Sequence, residues 1–129
     1  MIQRNACVEG LKEIFRVKEA LSRTGSPSRC QHALNACLLI IDDINDPDAP
    51  LDIFDRCKWS IYFYLLASQA ALTCNHNESI LYYATQGQLQ ISCISGLGWD
   101  EKHWLKDCTA RLIELGEEGF RRIFGRLPL

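Results

Sequence analysis

"WSIYFYLLASQAALTCNHNESILYYATQGQ", residues 59–88, decides the fold. Aromatic, aliphatic and small residues run unbroken to Thr73, the polar cluster "CNHNES" interrupts them, and apolar residues resume at Ile80, Leu81, Tyr83 and Ala84. Neither half alternates with the period of a strand, and each is long enough for several helical turns. Asparagine, histidine and serine between two apolar runs make a tight turn, with Asn77 placed to cap the helix that follows. The stretch predicts two helices folded back on each other.

The flanks extend the same pattern. Upstream, "DPDAP" places two prolines in a short polar segment, and a helix starts near Pro50 or Leu51 with Asp52 and Asp55 in its first turns, where carboxylates favour the helix dipole. Before it, Ser26-Pro27 reads as a cap and a first-turn proline opening a helix through Ala33, Leu34, Cys37, Leu38, Ile41 and Ile44. That helix stops near Asn45, because Pro47 disfavours helical geometry at Asp46. Residues 4–24 carry Cys7, Val8, Leu11, Ile14, Phe15 and Leu21 on one amphipathic stripe. Downstream, "SGLGWDE" breaks the chain, and Asp100 can cap a last helix with Trp104, Leu105, Cys108, Leu112, Leu115, Phe120 and Ile123 along it. The class is all-α: an antiparallel bundle of four to five helices, or two stacked helical hairpins, in a single helical domain over residues 1–129.

Composition narrows the partners. With 47% apolar residues, 23% charged residues and a formal charge of -2, the chain has no global attraction to nucleic acid or an anionic membrane, and neither is an expected partner. The seven cysteines are dispersed, odd in number and without a signal peptide, which points to the reducing cytoplasm and to thiols used as small core residues. No cysteine or histidine spacing suits zinc, and the glycines form no phosphate loop, so no metal or cofactor is expected. His32, His76 and His103 lie on separate elements, so no catalytic residue is assigned.

The most informative pattern is a gap in charge. Between Trp59 and Trp99 the only Asp, Glu, Lys or Arg is Glu78. Either this hairpin is the centre of the bundle, or part of it faces a groove or another subunit. Depletion of charge and enrichment in aromatics with polar tips mark interface centres, which selects Trp59, Tyr62, Tyr64, Tyr82 and Tyr83 as candidate protein-binding residues. "WSIYFYLLASQAALT" is too short to cross a bilayer. The tail "GFRRIFGRLPL" is read as a solvated helix end.

One local motif competes. In "LLIIDDINDPDAP", residues 38–50, Asp42, Asp43 and Asp46 end an aliphatic run, and "LLIIDDIND" resembles the first aspartate-rich motif of isoprenyl diphosphate synthases, which binds magnesium. The paired arginines that follow in that family are replaced by "APLDIFDR", no second motif occurs, and proline follows Asp46, so the stretch reads better as a helix end. Carboxylates there oppose the helix dipole unless a cation answers them, a role open to Arg56 or Lys58.

Across roughly residues 15–99, the order of elements is similar to that of the bacterial flagellin-export chaperones. "SRCQHALNACLLIIDDIN" is similar to their second helix, "WSIYFYLLASQAAL" falls where they have a tyrosine-rich helix, and "NHNES" where they have a polar turn. The resemblance implies a small helical bundle that clamps a disordered tail, with Tyr62 and Tyr64 as groove residues. The expectation is a non-enzymatic bundle that binds another protein or itself, as chaperone, adaptor or homo-oligomer, through the hairpin 59–99. The alternative is a small magnesium-dependent enzyme acting on a phosphorylated ligand through Asp42, Asp43 and Asp46.

Overall fold

The computed structural model describes residues 27–48, 51–95 and 102–127. Four helices follow in order: α1 (Pro27–Asn45), α2 (Ile53–Cys74), α3 (Asn77–Ser95) and α4 (Lys102–Phe124). No strand occurs among the described residues. The expected helix within 4–24 and the cap at Asp100 lie outside them.

Local chemistry sets the helix ends. The Asp52 carboxylate accepts from the Asp55 amide at 2.7 Å, capping α2. At its far end Asn75 adopts a left-handed conformation (φ 61°, ψ 31°), and His76 N–H donates to Ala71 O at 2.9 Å, so the last carbonyls of α2 are satisfied within the turn. Asparagine is among the few residues that tolerate this geometry. His76 O then accepts from Ile80 N–H, and α3 begins only two residues after α2 ends. So short a link makes the two helices antiparallel. The register is fixed by Ser68, whose hydroxyl donates to Ile80 O at 2.8 Å across the pair.

α2 is the centre of the molecule. Phe63, Leu66, Ala67 and Ala70 face α1 in one core cluster, while Cys57, Ile61 and Ala71 join Ile80, Ala84, Cys108, Leu112 and Leu115 of α3 and α4 in a second. A helix buried on two sides is apolar nearly all round, which accounts for the first half of the charge gap. α4 packs antiparallel on α3 and also touches α2, whereas α1 packs against α2 alone among these helices. Of the cysteines whose side chains are described, Cys37, Cys57 and Cys108 are buried, Cys74 is half-buried and Cys93 is exposed. The first three are packing residues, as their apolar neighbours in sequence suggest.

The end of α1 is held by an arginine. Arg56 donates from Nη1 to Ile44 O at 2.7 Å and to Asp46 O at 2.8 Å, placing a positive charge on the carbonyl end of α1. Asn45 folds its amide back onto Ile41 O, and Asp46 Oδ1 accepts from Asp48 N–H at 2.9 Å to shape the turn. Replacing Arg56 by leucine is expected to lower stability by about 1–3 kcal/mol, since charge-assisted bonds to two carbonyls are lost. A urea midpoint indistinguishable from that of the parent would show that the clamp contributes nothing.

Candidate functional site

The five aromatic residues marked by the sequence divide into two groups. Tyr62 and Tyr64 are two positions apart on one helix, roughly 200° around its axis, and so lie on different flanks of α2. Trp59 and Tyr62 form one pair, with ring centroids 6.1 Å apart and planes tilted by 39°. Both are half-buried and pack against the cluster between α1 and α2. On the other flank Tyr64 stacks on Tyr83 of α3 at 6.2 Å and 22°, and Tyr82 stands across Tyr83 at 5.1 Å and 78°. The structure thus brings Tyr64, Tyr82 and Tyr83 together from two helices and leaves Trp59 and Tyr62 apart from them.

The acidic stretch contributes to this tyrosine cluster. Burial raises the Tyr64 phenol above its ordinary pKa, the neighbouring Tyr82 adds to the rise, a hydrogen bond from Asn45 works against it, and the Asp42 carboxylate adds a little more. Tyr83 is raised by burial, then by Tyr82, Tyr64 and Asp42. Both phenols therefore stay protonated at neutral pH. Asp42 and Asp43 are exposed on α1, while Asp46 has left the helix for the turn. Among the described residues no three histidine, cysteine, aspartate or glutamate side chains converge in a way that would hold a metal ion. Arg56 occupies the carbonyl end as the dipole argument anticipates. His32 and His76 are exposed, on α1 and in the α2–α3 turn respectively.

α3 behaves differently from α2. Its outward side shows Tyr82, Thr85, Leu89 and Ser92 at helical spacing, all exposed, with Tyr82 at 57% and Leu89 at 55%. Burial explains the missing charges of α2 and does not explain them here. Beside this face runs a groove of about 310 Å³ between α3 and α4, of mixed polarity, lined by Leu81, Thr85 and Gln88 on one side and Ile113, Gly116, Glu117 and Phe120 on the other. The two helices approach closely at Gly119, where a Cβ would sit 2.7 Å from the Leu81 backbone nitrogen. Gln88 bridges the helices by donating to Leu112 O at 3.3 Å. The sequence marked neither Leu89 nor the α4 residues of this groove, although the uncharged spacing of Tyr82, Thr85 and Leu89 carried the signal.

The basic tail is solvated, as expected: Arg121 and residues 123–127 are exposed, and its contacts are surface ones. Glu118 pairs with Arg121 and Arg122, which hold its carboxyl below the ordinary range, and Arg122 reaches Asn75 Oδ1 at 3.1 Å in the α2–α3 turn. Arg126 lies over the Phe120 ring at 5.7 Å. No helix among the described residues is long and apolar enough to cross a membrane. No protein-family model, curated protein or solved structure matches the chain.

Proposed function

We propose that this protein is a non-enzymatic helical bundle that binds another polypeptide, as a chaperone or adaptor, through the outward face of α3. The observation that carries the reading is a solvent-exposed helix face with Tyr82, Thr85, Leu89 and Ser92 and no charge beyond Glu78 at its start. A soluble surface helix ordinarily presents charged residues outward. Their absence, next to a tyrosine cluster with an exposed ring at Tyr82, matches the composition of interface centres. Trp59, Tyr62, Tyr64 and Tyr83 all pack against the α1–α2 cluster, so the proposed binding role falls first to the exposed Tyr82 and Leu89, with Tyr83 and Tyr64 stacked beside Tyr82.

Glutamate at the centre of this face tests the proposal. Leu89→Glu alters an exposed side chain and is expected to shift stability by no more than about 0.5 kcal/mol. It is expected to remove at least nine-tenths of the protein that the parent retains from a lysate of its source cells, by quantitative mass spectrometry. Light scattering on both proteins reads self-association separately. Equal retention by parent and variant, with no difference in oligomeric state, would overturn the reading.

A further inference from the structure

Half of the large hydrophobic side chains exposed among the described residues lie on α4 or just beyond it: Ile113, Ile123, Phe124 and Leu127. Ile113, Phe120 and Phe124 follow one another at seven and four residues, so they form one stripe, turned away from the buried Cys108, Leu112 and Leu115. Glu114, Glu117 and Arg121 border this stripe along a single flank, at three- and four-residue spacing. Glu114 pairs with Arg111 and Arg121 with Glu118, both at the surface, while Glu117 enters no ion pair among the described residues.

The stripe is complementary to itself. Laid against a copy running the opposite way, about a two-fold axis between Glu118 and Gly119, Ile113 falls opposite Phe124 of the copy and Phe120 lies beside its own symmetry mate. In a two-fold contact of this kind each flank meets the same flank of the copy, so Glu114 and Glu117 come beside Arg121 of the copy, twice by symmetry. A parallel pairing in register would instead set Glu117 against Glu117 and Arg121 against Arg121. The order of apolar, acidic and basic groups along α4 therefore supplies its own complement and selects the antiparallel arrangement.

We infer that α4 is a self-association surface through which two copies of this chain pair antiparallel, with Ile113 on Phe124 and Glu117 beside Arg121 in both halves. The inference concerns α4 and goes beyond the binding proposed for α3; neither requires the other. One helix from each copy covers less than the roughly 1,200 Å² at which stable complexes begin, so the dimer is weak, with a dissociation constant on the order of 10–100 µM.

Sedimentation velocity of the full chain over about 5–500 µM tests this, and the parent is expected to pass from monomer to dimer across the range. Glu117→Arg and Arg121→Glu each set like charges face to face in both halves, and each is expected to weaken the dimer by about 10-fold or more. Phe124→Ala, which removes the apolar contact, is expected to weaken it by about the same factor. The two charge variants, mixed in equal amounts where each alone is monomeric, are expected to form a dimer, because one chain then presents two arginines where the other presents two glutamates. Misfolded variants could not do so. A parent that stays monomeric throughout overturns the inference. So does a dimer indifferent to both charge reversals, which would place the association on another face, and so do charge variants that remain monomeric when mixed.

Discussion

Truncating Phe63 to alanine is expected to remove about 3–5 kcal/mol of folding stability, a large part of what a domain of this size possesses. Phe63 has no exposed surface and sits in the cluster that joins α1 to α2, with Leu66, Ala67 and Ala70 along the same side. Deleting the ring forfeits its transfer energy and leaves a cavity that small neighbours cannot fill. The measurement is urea unfolding followed by circular dichroism: the midpoint should fall with little change in slope. Leu89→Ala, at an exposed position on α3, provides the contrast and should change stability by about 0.5 kcal/mol or less. Comparable losses at the two positions would mean that α2 is not the central helix.

Gly119→Ala is the second large effect, and it runs against helix propensity. Alanine in a helix interior is favoured over glycine by about 1 kcal/mol, so a helix with free space around it would be stabilised. At Gly119 the added carbon would lie 2.7 Å from Leu81 N and 3.0 Å from Leu81 Cα, and backbone atoms cannot step aside. α3 and α4 must separate, which costs about 1–3 kcal/mol after overpacking is relaxed as far as it can be. Gly116→Ala is the control. Its added carbon meets only the end of the Gln88 side chain at 3.3 Å and Ala84 Cβ at 3.7 Å, so propensity should prevail and stability should hold or rise. A stabilised Gly119→Ala protein would show that the close approach of the two helices is not as described.

Much of this architecture was legible in sequence because local chemistry and periodicity agree. The end of α1 at Asn45 and the start of α3 at Asn77 follow from residues with preferred uses, such as proline after Asp46, whereas α2 begins at Ile53 rather than at Pro50 or Leu51, with Asp52 as its cap instead of a first-turn residue. Arg56 was one of two residues proposed to answer the dipole of α1, and it makes the bonds that the proposal requires. The candidate surface was less legible. The charge gap is a one-dimensional signal shared by two helices that lack charge for different reasons, α2 through burial on two sides and α3 through an uncharged outward face. Aromatic content alone put Trp59 and Tyr62 with Tyr64, although their positions on the helix direct them to different flanks. The stacking of Tyr64 on Tyr83 depends on the pairing of α2 with α3 and leaves no mark in any short stretch.

The attachment of α1 has a thermodynamic consequence. α2, α3 and α4 close upon one another, whereas α1 is attached through α2 alone among the described helices and through the Arg56 bonds at its end. Among the described residues α1 is thus held by a single helix-helix contact, and segments held in this way open at lower free energy than a closed core. Asp42 and Asn45 ride on α1 while the tyrosines belong to the closed part. Any ligand that engages both sides of the seam binds only the docked state, and its binding energy is added to the docking equilibrium. Binding across that seam and attachment of the first described helix would therefore strengthen each other to the same degree.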